Sequence, residues 1–418
     1  KQAEERDHTN TANMACVSPV HGGLSEPVSL VVESLPSTEL LPKIAVTEVD
    51  LTTLYRIADG TLSPLTGPMT KADYDSVLAS KCIPRDGKNW AWTIPIILPI
   101  TADEAKTATD GAKCALVDSA GAVFGTIDIA SVYTWDKKAF LSAVYLTDRE
   151  DHPGARLWTA DDRTTLVGGT IELLPFADTR AFVDRIYSPT SMRALLAEKG
   201  YEQSVAFQTR NPLHRAHEYA LVYGAETILR ETGKKTGVFL NPLVGQLKGD
   251  DVPAETRMQT YIKLIDEKHL GEGDKDGELW SSKGQDLSAQ SHLAGLDMRM
   301  YYGGPSEAVM HAIYRQNLGL THFIIGRKHA DAPYDDGSAI WGDFDAQTVF
   351  ESLGGDLQIK TVNVGFAAYF EELGRVGLVE ANKGKTTVAI SGTKMRQLLN
   401  EGKMPDDRVM RPGTAEIL

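Results

Sequence analysis

The sequence predicts an α/β protein whose largest domain is a doubly wound parallel sheet, preceded by a β-rich domain and followed by a small α+β domain. Between residues 30 and 175, short β-like runs alternate with turn residues. After Ser188, helices of ten or more residues alternate with short apolar strands, the rhythm of parallel βαβ units. The predicted boundaries are a flexible tail over 1–26 and domains over 27–182, 183–364 and 365–418.

The first half of the chain predicts mainly strands. The β-like runs are WAWTIPIILPI (90–100), CALVDSAGAVFGTIDI (114–129) and TIELLP (170–175). Within the second run, AGAVFG (120–125) predicts the corner of a β-hairpin. Helical patterns at 51–60 and 70–80 add decorating helices. A mixed barrel is therefore expected.

The second half predicts strict alternation of helices and strands. The helical segments are SPTSMRALLAEKG, which ends at Gly200, HEYALVYGAETILRETG, which ends at Gly233, ETRMQTYIKLIDEKHL and SEAVMHAIYRQNLG. The strands are SVAFQT, GVFLNPLVG and THFIIG. Ligands of such sheets bind beyond the carboxyl ends of the strands, where QTRNPLHRAH, NPLVG and GRKHAD fall. These motifs predict one pocket, in which NPLVG serves as scaffold.

The sequence makes separate structural predictions for three other segments. Residues 271–290 are rich in Gly, Ser and charge and predict an exposed insertion without a chemical role. Residues 298–308, MRMYYGGPSEA, are expected to be scaffold. Residues 390–396, ISGTKMR, predict a helix capped by Ser391 or Thr393, serving either as a plain cap or as support for a triphosphate.

Composition restricts the location and the partners of the protein. The chain has 418 residues, a formal net charge of -14 and three scattered cysteines. An acidic surface disfavours nucleic acid, so an anionic ligand needs a local positive pocket. Few cysteines, a polar N-terminus and no apolar run of roughly 20 residues predict a cytoplasmic protein without a membrane partner.

The densest chemical pattern is VAFQTRNPLHRAH (205–217), where an apolar strand runs into anion-binding groups. Its polar residues include Gln208, Thr209, Arg210, Asn211, His214 and His217. The two histidines are three positions apart and so share a helix face near the unpaired N–H groups of the N-terminus. Pro212 suits the first turn of that helix. The pattern predicts a phosphate site, although two histidines at this spacing alone are usually part of an ordinary amphipathic helix.

The string QTRNPLHRAH resembles the signature of the ATP sulfurylase (sulfate adenylyltransferase) family, within the HxxH nucleotidyltransferase superfamily. The motif THFIIGRKHADAP (321–333) resembles the GRDHAG loop of that family, and WGDFDAQ (341–347) also resembles family sequence. This resemblance implies a PUA-like N-terminal domain, a Rossmann-like catalytic domain and a homo-oligomer. The implied reaction joins ATP and sulfate into adenylyl sulfate (APS) and pyrophosphate, reversibly.

The resemblance also implies roles for individual residues. Sulfate is assigned to Gln208, Arg210 and the Ala330 N–H. The reacting centre and α-phosphate are assigned to Thr209 and Asn211, and the other phosphates to His214 and His217. ATP binding extends over Gln208, Thr209, Arg210, Asn211, His214, His217, Gly326, Arg327, Lys328 and His329. Arg327 is expected to neutralise phosphate charge in the transition state.

Chemistry independently favours these residue types. Sulfate is fully ionised near neutral pH, so the reaction needs no general base, and the protein must cancel repulsion between two anions. Arg210 can hold two sulfate oxygens at once, so lysine there should be a poor substitute. The sequence leaves open the charge of the histidines and the physiological direction.

Two departures from the family pattern keep alternatives open. Lys328 stands where the family usually has Asp, and Asp331 stands where it usually has Gly, which removes backbone freedom. A nucleotidyltransferase with a different acceptor is therefore one alternative. A binding or scaffold protein, for example one that binds RNA, is a second, which the acidic charge and the intact Arg210 and Arg327 disfavour.

Metal and phosphate motifs are limited. Mg²⁺ is expected to arrive with ATP, held mainly by its phosphates. No Cys or His follows Ala330, so a thiolate or imidazole zinc site is excluded from that part of the sequence. Gly384 to Thr386 imitate the end of a P-loop, but Val379 occupies the position of the first glycine, and no fused kinase is expected.

Overall fold

The computed structural model describes residues 16–247, 252–388, 395, 397–399 and 401–418. The strands of the N-terminal domain are β1 (Lys43–Ala45), β2 (Cys82–Arg85), β3 (Lys88–Ala91), β4 (Leu98–Ile100), β5 (Lys113–Val117), β6 (Val123–Thr134) and β7 (Thr165–Leu173). Five of them form a sheet in the order β1-β5-β6-β7-β4, and β2 pairs with β3. All neighbours are antiparallel except β1 and β5.

Four helices decorate this sheet. They are α1 (Glu48–Ala58), α2 (Lys71–Ser80), α3 (Lys137–Tyr145) and α4 (Pro153–Thr159). Thr47 and Thr70 cap α1 and α2 through their side-chain oxygens, which explains why the helices begin there. The predicted hairpin corner is present between β5 and β6, where Gly121 has a φ of 80°. The β-rich domain with helical additions is confirmed.

A second sheet forms the core of the domain that follows. Its strands are β8 (Gln203–Phe207), β9 (Thr236–Leu240), β10 (Ser291–Leu293), β11 (His322–Ile325) and β12 (Lys360–Asn363). Their order is β10-β9-β8-β11-β12, and every neighbouring pair is parallel. The chain order reverses between β8 and β11, so a crevice opens beyond their carboxyl ends. The doubly wound parallel sheet is confirmed.

The helices of this domain follow the predicted alternation. They are α5 (Pro189–Lys199), α6 (Arg215–Thr232), α7 (Ala254–Asp266), α8 (Gly277–Ser282), α9 (Leu287–Gln290), α10 (Gly304–Asn317) and α11 (Asp345–Thr348). Gly200 and Gly233 end α5 and α6 in the left-handed conformation, as predicted. Pro212 is not in the first turn of α6, because His214 is the N-cap and the helix begins at Arg215.

The C-terminal domain contains β13 (Ala367–Phe370), β14 (Arg375–Leu378) and β15 (Thr387–Val388), followed by a short helix, Pro412–Ala415. Strand β13 lies between the other two, and both pairings are antiparallel. The predicted small α+β character is confirmed. The ISGTKMR segment lies outside the described residues, apart from Met395. Among the helices that the structure describes, none combines the length and apolar character needed to span a membrane.

The flexible tail expected over residues 1–26 is wrong from residue 16 onward. The Cys16 N–H donates to the Tyr201 carbonyl at 3.0 Å, and the Ser18 N–H donates to the Gly319 carbonyl at 2.9 Å. Val20 is 1% exposed. Backbone pairing, the apolar Val17 and Val20, and the buried His21, whose N–H donates to Asn317 Oδ1 at 2.9 Å, therefore hold this segment against the domain of the second sheet. Residues 1–15 lie outside the described part of the chain.

The segment 271–290, predicted to be an exposed insertion, is exposed only in part and is anchored to the core. It contains α8 and α9, and Trp280 and Leu287 are buried against the core below α6. The Trp280 Nε1–H donates to Glu226 of α6 at 3.3 Å. Two large apolar side chains thus anchor a stretch whose average composition is polar.

Candidate active site

A cavity of about 350 Å³ opens at the carboxyl ends of β8 and β11. One wall is the loop after β8, another is the loop after β11, and residues 364–367 close a third side. The lining includes every residue that the sequence nominated: Gln208, Thr209, Arg210, Asn211, His214, His217, Gly326, Arg327, Lys328, His329 and Ala330. The reversal of strand order brings these two distant segments together.

The cavity is positively charged although the whole chain is acidic. Arg210, Arg327 and Lys328 line it, and none of the described lining residues is Asp or Glu. Low-polarity walls such as Phe207 and Met300 strengthen the attraction between these cations and an anion. The local positive pocket expected from the sequence is therefore present.

His214 and His217 form a stacked pair at the start of α6. Their ring centroids are 3.7 Å apart, and the ring planes are inclined by 17°. The His217 N–H donates to Nδ1 of His214 at 3.3 Å, so His214 is the helix cap and its Nε2 carries the proton. The Arg215 N–H donates to the Val409 carbonyl, so the N-terminus is less open than the sequence suggested.

Both imidazoles are neutral around neutral pH. Burial, followed by the neighbouring His217, lowers the pKa of His214 well below its usual range. Burial and the charge of Arg210 lower the pKa of His217 to about 4. The pair therefore offers neutral hydrogen-bonding groups, and the permanent charge of the cavity comes from arginine and lysine.

The loop after β8 is shaped by its own side chains. The Thr209 hydroxyl donates to the Asn211 carbonyl at 2.9 Å and accepts the Asn211 N–H at 3.2 Å. Tyr261 of α7 also donates to the Asn211 carbonyl, at 2.7 Å. These bonds fix a tight turn, so the hydroxyl of Thr209 acts on the loop conformation rather than pointing freely at a ligand.

Arg210 connects the loop after β8 with the loop after β11, and its Nε–H is left available for a ligand. Its guanidinium carbon lies 5.2 Å from the centroid of the Tyr302 ring, and its Nη2 donates to the Asp331 carbonyl at 3.4 Å. Among the described residues, the buried Arg210 Nε, Gln208 Oε1 and His217 Nδ1 find no hydrogen-bond partner. Such orphaned polar atoms around one cavity mark groups prepared for a ligand.

The loop after β11 contains the two residues that depart from the ATP sulfurylase pattern, Lys328 and Asp331. Lys328 and Ala330 have φ values of 47° and 57°, whereas Asp331 is not in the positive-φ region. The absence of glycine at 331 therefore costs no backbone strain, contrary to the concern raised by the sequence. The Lys328 side chain lies 3.7 Å from Asp343, which offsets part of its added charge.

Arg327 is held at the rim of the cavity. Its Nε donates to the Asp343 carboxylate at 3.0 Å, and its guanidinium carbon lies 4.3 Å from the centroid of the Phe366 ring. The side chains of Arg327 and Asp343 are each 38% exposed. An exposed ion pair is weak, so Arg327 can exchange Asp343 for a phosphate at little cost.

Comparison with known proteins decides the family. The family model described as ATP-sulfurylase matches residues 184–418, and the model described as PUA-like domain matches residues 25–176. A sulfate adenylyltransferase of Pyropia yezoensis is 74% identical over 407 residues, which cover 97% of each chain. The chain belongs to the ATP sulfurylase family. The interpretation of the QTRNPLHRAH string is thereby confirmed.

More distant ATP sulfurylases extend the match. A sulfate adenylyltransferase of Synechococcus sp. (strain JA-3-3Ab) is 33% identical over 368 residues, covering 87% of this chain and 85% of the relative. A solved structure described as a hexameric APS kinase from Thiobacillus denitrificans has a TM-score of 0.70 at 18% identity. It covers 96% of this chain and 68% of its own. At that identity the likeness shows the fold alone.

Three buried residues beneath this cavity were missed by the sequence interpretation. Glu307, His311 and Arg315 lie on α10, below the loop after β11, and all are buried. His311 hydrogen-bonds His329 of the cavity wall. Their spacing of four residues on a mostly apolar helix is a signal that could have found them.

The motif NPLVG, predicted to be scaffold, contributes hydrogen bonds between strand ends. The Asn241 N–H donates to the Phe207 carbonyl at 2.9 Å, and its side-chain amide donates to the Ala294 carbonyl. These bonds tie the ends of β8, β9 and β10 together next to the cavity. Asn241 is 1% exposed and does not line the cavity.

Proposed function

We infer that the chain is a sulfate adenylyltransferase, which forms adenylyl sulfate and pyrophosphate from ATP and sulfate and also catalyses the reverse reaction. One observation carries this inference: the two sequence motifs meet in a single cationic cavity whose described lining contains no carboxylate. Two anions that repel each other need a positively charged environment more than they need a proton acceptor.

The reaction proposed here is an in-line displacement at the α-phosphorus of ATP. A sulfate oxygen forms a bond to that phosphorus while the bond to the pyrophosphate oxygen breaks. Sulfate carries no proton near neutral pH, so no base has to remove one. The work of the protein is to hold the two anions side by side and to stabilise the charge that collects on pyrophosphate.

Sulfate is proposed to lie between the two loops. Arg210 supports this assignment, because its Nε is orphaned and its fork can hold two oxygens. The Ala330 N–H has no hydrogen-bond partner in the described part of the chain and lies on the same cavity. Exchanging the amide oxygen and nitrogen of Gln208 would turn its orphaned atom into a donor for the anion.

The nucleotide is proposed to occupy the remainder of the cavity. His214 and His217 would donate to its phosphates as neutral imidazoles, and Thr209 would hold Asn211 against the α-phosphate. Gly326, Lys328 and His329 would line the path of ATP. Arg327 would move from Asp343 onto the leaving pyrophosphate, where its charge matters most in the transition state.

Mg²⁺ is proposed to enter with ATP. Among the described residues there is no group of three or more side chains suited to hold a metal ion, and the cavity wall offers cations and neutral donors. This donor set fits an ion held by nucleotide phosphates. When bound, Mg²⁺ supplies further neutralisation of phosphate charge.

Three expectations complete the proposal. The protein is proposed to be a cytoplasmic homo-oligomer, because the family resemblance implies an oligomer and the cysteine content favours a reducing compartment. Its small-molecule partners would be ATP, sulfate, APS and pyrophosphate, without a nucleic-acid partner. Size-exclusion chromatography with light scattering would test the oligomer.

The function is tested by pyrophosphate release from ATP with and without sulfate, run beside ATP formation from adenylyl sulfate and pyrophosphate. Release that depends on sulfate supports the inference. Release that is indifferent to sulfate contradicts it. Competition among sulfate, phosphate, molybdate and selenate checks the acceptor, because a different preferred oxyanion would favour another nucleotidyltransferase.

A further inference from the structure

A row of buried polar groups leads from the interior to the cavity. The side chains of Glu307 and His311, one turn apart on α10, are both fully buried. His311 Nδ1 hydrogen-bonds His329 Nε2 at 3.0 Å, and His311 Nε2 lies 3.3 Å from Glu307 Oε1, within ion-pair distance but outside hydrogen-bond geometry. His329 lines the cavity. A carboxyl, an imidazole and a second imidazole thus form a continuous line that ends at the ligand site.

Glu307 is held in a fixed orientation. Its Oε1 accepts the Tyr301 N–H at 2.8 Å, and its Oε2 accepts the Gly303 N–H at 3.0 Å. Tyr302, between these two residues, lies under the guanidinium of Arg210. The same carboxyl therefore organises the turn below Arg210 and faces the histidine row.

The hydrogen bond between the two imidazoles links their proton positions. In a pair of neutral histidines, one nitrogen donates and the other accepts. An ionised Glu307 favours a proton on His311 Nε2, so His311 Nδ1 accepts and His329 Nε2 donates. His329 Nδ1, which has no hydrogen-bond partner among the described residues, is then an acceptor. A protonated Glu307 reverses each step and places a proton on His329 Nδ1.

We propose that Glu307 and His311 are positioning residues that decide which ring nitrogen of His329 carries a proton, so that one proton stored on Glu307 gives the cavity an N–H donor for an anionic nucleotide. This proposal rests on the proposed function, because it assigns His329 to the nucleotide.

The proton count of the relay balances. A proton arriving at His329 Nδ1 releases the proton of His329 Nε2 to His311 Nδ1. His311 in turn releases its Nε2 proton to the Glu307 carboxylate. Both imidazoles stay neutral throughout, and the only change of charge is the neutralisation of Glu307.

The surroundings favour storage of the proton on Glu307. Burial raises the pKa of Glu307 to about 7 and lowers the pKa values of His311 and His329 well below the usual range. The other titratable and charged groups that face the row are Tyr145, Arg210, Arg299, Tyr301, Tyr314 and Arg315.

The three tyrosines and Arg315 keep their charge states near neutral pH. Burial raises the pKa of Tyr301 to about 12 and raises the pKa values of Tyr145 and Tyr314 further. Burial lowers the pKa of Arg315 to about 9, so this side chain is still charged at pH 7. Protonation of Glu307 is therefore the event expected between about pH 6 and about pH 8.

The test uses adenylyl sulfate as the probe, because its phosphate and sulfate groups are strong acids and do not titrate in this range. Calorimetric binding at several pH values, in buffers of different ionisation enthalpy, reports affinity and proton uptake. Wild-type protein is expected to take up as much as one proton and to lose affinity by up to about tenfold per pH unit above about pH 7.

Two variants interrupt the row at different points. Glu307→Gln cannot store the proton, and His311→Gln removes the link, so each is expected to bind with an affinity nearly independent of pH. Glu226→Gln is the matched control, because Glu226 is also a buried carboxyl with a raised pKa but lies on α6, outside the row. This control is expected to keep the wild-type pH dependence.

The outcomes separate the relay from the function. Wild-type binding without proton uptake overturns the relay even if Glu307→Gln fails to fold. So does a pH dependence that survives in a folded His311→Gln protein. Sulfate-dependent pyrophosphate release by wild-type protein in either case leaves the proposed function in place, whereas its absence removes both proposals.

Discussion

Arg215 and Asp274 form a two-point ion pair, with Arg215 Nη2 2.7 Å from Asp274 Oδ1 and Arg215 Nε 2.9 Å from Oδ2. The Asp274 side chain is fully buried. Its Oδ1 also accepts the Val376 N–H of β14 at 2.8 Å. One carboxylate therefore joins the first residue of the histidine-bearing helix, the segment 271–290 and the C-terminal sheet.

Asp274→Ala should lower the free energy of unfolding by about 3 kcal/mol or more, because it leaves a largely buried guanidinium and the Val376 N–H without an acceptor. Chemical denaturation measures the change. Glu267→Ala is the control, since it removes an exposed ion pair with Lys263 and should cost less than about 1 kcal/mol. An equal loss in both variants would show that the Arg215 pair is not a structural tie.

Arg210→Lys should lower kcat/KM for sulfate by about a hundredfold. Lysine offers a single ammonium group, whereas the guanidinium of Arg210 is a planar set of donors whose Nε has no hydrogen-bond partner among the described residues. Steady-state pyrophosphate release measures this. Arg408→Lys serves as the control, because Arg408 is exposed and pairs with Asp406 away from the cavity. Activity within about twofold of wild type in Arg210→Lys would contradict the bidentate role.

Gly326→Ala should raise KM for ATP without changing the free energy of unfolding. An added Cβ would meet no atom of the described residues within 4 Å, and Gly326 has no positive φ, so a ligand in the cavity is what the methyl group would collide with. Gly277→Ala, equally unhindered but remote from the cavity, is the control and should leave KM unchanged. An unchanged KM in Gly326→Ala would place the nucleotide elsewhere in the cavity.

The substitution His217→Gln should make the free energy of unfolding less dependent on pH under acidic conditions. The folded-state pKa of His217 is about 4, below the usual value of 6.5, so the unfolded chain binds a proton between these values that the folded chain rejects. The contribution of His217 to stability is complete above about pH 6.5 and is lost as pH falls toward about 4, at up to about 1.4 kcal/mol per pH unit.

Denaturation at a series of pH values checks the His217 prediction. The wild-type protein should show the steeper loss below about pH 6.5, and its difference in free energy of unfolding from His217→Gln should become independent of pH above that value. His269→Gln, at a half-exposed position outside the cavity, should follow the wild-type curve. Parallel curves for wild type and His217→Gln would contradict the assignment of a depressed pKa.

Local chemistry made much of the fold predictable. Thr47, Thr70 and Ser188 cap helices, and Gly200 and Gly233 end them, because these short-range signals act within one turn of the chain. Predictions made from the average composition of a segment failed where the burial of one large apolar side chain fixed an otherwise polar segment. Trp280 buries a polar segment, and Val20 anchors part of the expected tail.

The site residues were found for the same local reason, since each motif follows a strand directly. Their partners were not, because His311 and Asp343 act on His329 and Arg327, which lie 18 and 16 positions away in the sequence. The protonation of His214 and His217 also depends on burial, which no local pattern reports.

The amino-acid sequence alone determined the order of strands and helices, the family and the groups able to bind two anions, because these depend on residue types and short spacings. Only the tertiary structure decided that Arg210 and Arg327 share one cavity, that the histidines are neutral and that α10 places a carboxyl behind His329. Those properties arise when the parallel sheet brings distant segments together and excludes water from between them.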